Sequence, residues 1–209
     1  MARPPNTDLF LPDQFYHIYN HAVGEDNLFR RRDNYLYFLN RLRYYLLDVC
    51  HCFAYYLMPN HFHFLVQVRA GTALEHFRMT YKPDQANVPA HHTIVMNQLS
   101  RMLNGYTQAY NKMFDRKGAL FLDNTRRKQV TDPAYLVTLV SYIHHNPVRH
   151  VFCEDISDWE FSSYQSLCSS APTQVAREAL LALFDRQENF EQAHRNSQVH
   201  HGITNEFEF

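Results

Sequence analysis

Two short stretches of this chain carry residue types whose spacing could do chemistry. The first is His61-Phe62-His63, inside the run HFHFLVQV at 61–68. Residues two apart in a strand point to the same face. The two imidazoles would stand side by side, as a metal pair requires, while Phe62, Phe64 and Val66 bury the opposite face. Fourteen histidines in 209 residues make chance neighbours common, so the pair alone leaves an ordinary half-buried reading open. The second stretch holds Tyr142 and Asn146, four apart and so on one face of a helix. Leu136, Leu139, Val140 and Ile143 form the apolar stripe of that helix, with Tyr142 at its edge. Tyrosines bordering a helix stripe usually pack, and taken alone Tyr142 reads that way first.

The two stretches say more together. The helix must cover something, and the strand face carrying His61 and His63 needs a cover. Docked on each other, they would gather a phenol, an amide oxygen and two imidazoles around one cation. That is a layout for metal-assisted phosphoryl transfer, in which a cation polarises the phosphate and an oxygen nucleophile attacks in line. A phenol with a pKa near ~10 is mostly protonated at neutral pH and needs such help.

The elements that must position these residues are legible as patterns. Residues 14–20 are rich in β-formers and read as a first strand. Leu36, Leu39, Leu42 and Leu46 recur at helical spacing over 33–47, with Asp33 as the cap. The runs 51–58 and 61–68, joined by Pro59-Asn60, read as a β-hairpin. Residues 69–92 lack clear periodicity, contain Gly71, Pro83 and Pro89, and read as a loop insertion. A long amphipathic helix covers 94–114, and 119–130 reads as a short basic strand. Thr131-Asp132-Pro133 is a strong helix start, and that helix stops near Pro147. A short helix at 177–184 precedes a polar, frayed end. The order strand–helix–strand–strand–helix–strand predicts an α+β, ferredoxin-like (RRM-like) antiparallel sheet with helices.

Composition narrows the partners less. The net charge is −1, so nothing global calls for nucleic acid. Basic residues cluster locally at Arg30–Arg32, at Arg116-Lys117 and at Arg126–Lys128. Four cysteines show neither zinc spacing nor a disulfide framework and fit a reducing compartment. No apolar run reaches the ~18 residues of a membrane span. With no signal-peptide layout at the start, the expectation is a cytoplasmic protein without membrane contact. Five glycines leave no phosphate-cradling loop pattern, so no organic cofactor is expected.

The sequence around both stretches resembles a known family. MPNHFHFLVQV is similar to the metal-binding strand of HUH nucleases, with its histidine–hydrophobic–histidine signature. YIHHNPVRHVF followed by DWEFSSY resembles the tyrosine helix and its sequel in single-tyrosine transposases of the REP-associated and insertion-sequence types. FYHIYNHAV and RKGALF also resemble those proteins, and the likeness is collinear over about residues 13–166.

The resemblance implies an HUH nuclease-type domain over 1–168 and a C-terminal helix with a flexible tail over 169–209. It implies Tyr142 as nucleophile, His61, His63 and Asn146 as metal ligands, and Mg²⁺ or Mn²⁺ as the metal. The implied reaction is cutting and rejoining of single-stranded DNA beside hairpins through a 5′-phosphotyrosine. Relatives act as monomers or as homodimers. Lys117, Arg126, Arg127 and Lys128 are the candidate phosphate contacts, and His144 and His145, beside the tyrosine, are candidates for tuning the site. LDNTRRKQV lacks the glycine-arginine common after LF in the family, which points to a different DNA specificity. Three other readings stay open: a domesticated DNA-binding protein of the same fold, a metal hydrolase that uses water, and a binder reading bases with sheet aromatics.

Overall fold

Alternating apolar residues resolve into strands, and residues spaced three and four apart into helices, over residues 7–81 and 91–195, which the computed structural model describes. In chain order the elements are β1 (Phe15–His21), α1 (Arg32–Arg41), β2 (Cys50–Met58), β3 (His61–Val68), α2 (Gly71–Tyr81), α3 (His91–Met113), β4 (Arg126–Val130) and α4 (Pro133–Arg149). Three shorter helices follow: α5 (Tyr164–Cys168), α6 (Arg177–Ala182) and α7 (Gln187–Arg195). The strands form one antiparallel sheet in the order β2-β3-β1-β4. This is the ferredoxin-like arrangement that the pattern of elements predicts.

Strand alternation divides the sheet into two apolar faces. Tyr16 and Ile18 of β1 and Phe62, Phe64 and Val66 of β3 pack with Phe38 of α1 and Leu99, Met102 and Tyr106 of α3. On the opposite face, Tyr19, Tyr56, Met58 and Leu65 pack with Leu136, Leu139, Val140 and Ile143 of α4. Leu180, Phe184 and Phe190, from the segment after 168, join this second core. β3 is covered on both sides and reads as a nearly unbroken apolar run for that reason.

An irregularity in the β2–β3 pairing between Cys52 and Ala54 changes which residues face which core. Cys50 and Cys52 face the first core, whereas Ala54, Tyr56 and Met58 face the second. A bulge inverts the parity of a strand in this way, and here it turns Tyr56 toward the face that carries His63.

Helix α4 begins as expected. The Asp132 side chain accepts from the backbone N–H of Ala134 at 3.0 Å, with Pro133 at the first position. It passes through Pro147 and ends at Arg149. Its last carbonyls are satisfied by the N–H of Val151 on Val148 and of Phe152 on Pro147, the double bond of a Schellman stop.

Several expectations need correction. Residues 71–81 form helix α2 where a loop was expected. Its apolar face is only about one turn wide, with Leu74 buried and Phe77 packed beside it, too little for periodicity to show. The remainder of that insertion, 82–90, lies outside the described residues. The helix expected over 33–47 is α-helical to Arg41 and continues as a π-helical turn over Leu42–Leu46. The basic strand spans only Arg126–Val130, with Phe121 reaching β1's end through a single bridge to Ala22. Beyond 168 there are two helices where one was expected within 177–184, and the polar end from 196 onward lies outside the described residues. Among the described residues, no helix is long and apolar enough to cross a membrane.

Candidate active site

The strand register builds the site around His63. Tyr19 on β1 and Tyr56 on β2 both stand directly opposite it. Their rings flank the imidazole nearly parallel, with centroids 5.1 and 4.7 Å away and interplanar angles of 17° and 16°. One step along β1, His17 Nε2 lies 2.7 Å from His63 Nδ1. Three side chains from two neighbouring strands thus fix the orientation of this ring, leaving Nε2 as its remaining ring nitrogen.

His61 is held from nearer the turn. Its Nδ1 lies 2.8 Å from Asn60 Oδ1, and an amide oxygen accepts, so Nδ1 carries the proton and Nε2 the lone pair. The Tyr56 hydroxyl lies 3.1 Å from that Nε2. His21, opposite His61 in register, stacks on it at 5.7 Å. His150, past the end of α4, meets it edge-on at 5.5 Å.

Helix α4 supplies the other wall. Tyr142 and Asn146 share a face, and the Asn146 amide N–H donates to the Tyr142 carbonyl at 3.4 Å, which leaves Oδ1 as the acceptor end. The Tyr142 ring lies 6.4 Å from that of His63, and the Arg149 guanidinium sits 5.4 Å from its centroid. His61, His63, Tyr142 and Asn146 all line one cavity of about 360 Å³, together with His21, His150 and Tyr56. Val151 turns the chain at the cavity's end with φ +61, a left-handed conformation that a β-branched residue rarely adopts, and Phe152 is thereby brought to the rim.

Burial sets the charge state of the imidazoles. His61 is pushed down to about 3, first by burial and then by His150 and His21. His63 is held well below the ordinary histidine value, again by burial first and then by its histidine neighbours. His17 is lowered to about 3 by burial and by Lys128. Neutral imidazoles are the form that binds a metal. Among the described residues, no three His, Cys, Asp or Glu side chains are grouped to hold an ion by themselves. A cation between His61 and His63 would need the Asn146 amide oxygen, water or substrate oxygens as further donors.

The structure separates the remaining sequence candidates. Alternation splits the basic strand. Arg126 and Lys128 pair with Tyr19 and His17, on the face of the site, whereas Arg127 pairs with Ile18. The Arg127 guanidinium donates to the carbonyls of Asp8, Thr7 and Thr125 and lies against Phe10. Lys128 sits over the Tyr135 ring, and Lys117 is exposed in the loop after α3. His144 and His145 do not face the cavity. His144 bonds to His194 and Ser163, and His145 bonds to the Ser141 carbonyl. At about 100° per residue, His144 lies on the side of the helix opposite Tyr142, and the His145 ring is drawn back along the helix to the Ser141 carbonyl. Sequence reasoning missed His17, His21, Tyr56 and His150. The signal for the first three was the strand register, which no single stretch of sequence displays.

No protein-family model and no curated protein matches the chain. Among solved structures, it is similar to one described as a REP-associated tyrosine transposase bound to a REP hairpin. The TM-score is 0.57 at 14% identity, and the match covers 82% of this chain and 89% of that one. At that identity the likeness establishes the fold: this α+β sheet and its helices are arranged as in a tyrosine transposase.

Proposed function

We propose that this chain is a metal-dependent endonuclease and strand transferase that cuts and rejoins single-stranded DNA beside hairpins, with Tyr142 as its nucleophile. One observation carries the reading. Two elements far apart in sequence bring His61, His63, Tyr142 and Asn146 to one cavity, and these are the residues whose spacing already pointed to phosphoryl transfer. The donor set fits a divalent cation: a lone pair on His61 Nε2, an amide oxygen on Asn146, and on His63 the Nε2 lone pair that remains when Nδ1 donates to His17. Two imidazoles favour Mn²⁺ and the oxygen donors suit Mg²⁺ equally. When bound, the cation polarises the scissile phosphate and offsets its developing charge.

The protein's own residues do the rest. The Tyr142 phenol gives up its proton to solvent water and its oxygen bonds to phosphorus. The bond from phosphorus to the 3′-oxygen breaks, and that oxygen takes a proton to become a 3′-hydroxyl. The phosphate stays on Tyr142, still bonded to the 5′-oxygen of the 3′-side fragment, and attack by another 3′-hydroxyl reverses the step, so the bond energy is conserved. Arg149 places a positive charge at the face of the ring through which electrons shift. Lys117, Arg126 and Lys128 are the residues we assign to phosphate contacts, and Arg127 is engaged mainly with the N-terminal segment.

The test uses purified protein and 5′- and 3′-labelled hairpin DNAs with single-stranded flanks, in Mn²⁺ or Mg²⁺. A denaturation-resistant adduct should form on the 3′-side fragment. It should vanish with EDTA and fall by more than about 10³-fold in Tyr142→Phe. Cleavage that survives Tyr142→Phe would replace this reading with a hydrolase that uses water.

A further inference from the structure

The hydroxyl of Tyr56 stands at the nitrogen through which His61 would hold a metal. The His61 tautomer is set by Asn60: with Nδ1–H donated to Oδ1, only Nε2 can accept, and the hydroxyl 3.1 Å away is the donor. Tyr56 cannot easily swing aside. It is 1% exposed, its ring is stacked on His63 at 4.7 Å, and the bulge between Cys52 and Ala54 fixes the face it presents. A lone pair that accepts a proton donor is not available to a cation, and a single nitrogen lone pair serves one partner at a time.

We infer that Tyr56 is a placeholder for the metal: its hydroxyl caps His61 Nε2 in the metal-free chain and must release it before a cation binds. The inference rests on the reading of His61 and His63 as ligands, and it adds a residue that sets how tightly they bind. The cap keeps a buried nitrogen satisfied whenever no cation is bound, which would otherwise cost the folded chain an unpaired acceptor. Its cost is metal affinity. The cation must displace a hydrogen bond that the imidazole already has, and because the phenol oxygen is fixed to its ring, the Tyr56 ring must shift along His63 to let it in. A strand transferase tuned this way loads its metal weakly alone, and more readily when a phosphate oxygen supplies a further ligand.

The test is Mn²⁺ titration of the full chain, followed by the electron paramagnetic resonance signal of the free ion, without DNA. Tyr56→Phe keeps the ring and removes the donor. It should bind Mn²⁺ about tenfold more tightly than the parent, the factor that corresponds to one net hydrogen bond. Equal binding would show that the hydroxyl does not compete. Weaker binding would show that the tyrosine oxygen helps the cation. Either result overturns the inference. His61→Ala separates this from failure of the underlying reading: if it binds Mn²⁺ as the parent does, His61 is no ligand and both readings fall. A readout that does not depend on metal is the ¹⁵N resonance of His61 Nε2 in the metal-free chain. It should move on Tyr56→Phe, with His17 and His63 resonances nearly unchanged. No movement would also overturn the placeholder.

Discussion

Helix α4 has histidines on two of its sides, and the two groups are wired differently. Toward the sheet, His61 and His63 make hydrogen bonds that run back into the strands, while their rings line an open cavity. Toward the C-terminus, His144 uses both ring nitrogens in a chain that ends on backbone. His194 Nδ1 donates to the Phe190 carbonyl, so His194 Nε2 accepts from His144 Nδ1, and His144 Nε2 accepts from Ser163. Ser163 in turn takes the N–H of Tyr55. A closed chain of this kind has nothing to offer a ligand and a great deal to lose if a member is removed. In the cavity group His61 is also bonded through both nitrogens, to Asn60 and Tyr56, but its ring and these partners line an open space. Histidine content alone therefore says little, and where the hydrogen bonds end says most.

Paired alanine substitutions test that contrast most strongly. His144→Ala should cost about 2–4 kcal/mol of stability in urea unfolding, because it leaves buried partners unpaired and opens a void. It should leave Mn²⁺ affinity nearly unchanged. His61→Ala should cost under about 1.5 kcal/mol, since water can enter the cavity beside it, and should abolish Mn²⁺ binding. The reverse pattern would erase the distinction between the two groups.

Acid offers a second, smaller test on metal-free protein. His144 is held well below 6.5 by burial first and then by His194 and His145, and His17 is lowered to about 3. Below 6.5 the unfolded chain binds protons that the folded chain refuses. Stability is therefore complete above that value and falls as pH drops beneath it, by up to about 1.4 kcal/mol per pH unit for each such histidine. Urea midpoints on either side of 6.5 would show the slope, and His144→Gln should remove one histidine's share. A flat profile would mean that these rings are not kept neutral by burial.

The smallest effects concern DNA. Arg126→Ala or Lys128→Ala should each weaken single-strand binding about fivefold and lower the salt slope by about 0.7, the loss of one phosphate contact. Arg127→Ala should leave the slope unchanged and loosen the segment at Thr7 and Asp8 that its guanidinium holds. An Arg127 effect as large as the other two would mean that the strand's alternation does not sort these residues by role.

Much of this was legible in the sequence wherever a pattern is local. The His61–His63 alternation, the Asp132-Pro133 helix start and the Tyr142–Asn146 spacing each fit within one element, and each is formed as expected. Docking α4 on β3 followed from a helix stripe that must cover something and from a strand face, carrying His61 and His63, that needs a cover. What stayed hidden depends on pairing between distant segments. Nothing in FYHIYNH says that His17 will reach His63 or that His21 will stack on His61, because both depend on the β1–β3 register. Tyr56 faces the site only because a bulge inverts β2. His144 and His145 looked like neighbours of the nucleophile, but His144 bonds to Ser163 and to His194 of α7, whose pattern was too short to read, and His145 bonds back to Ser141.

The buried bond from His144 to His194 ties the middle of α4 to a later helix of the same polypeptide. Helix α4 also brings its phenol to the cavity that the strand imidazoles line. Pulling that helix toward a neighbour would first have to break a dry, closed set of bonds.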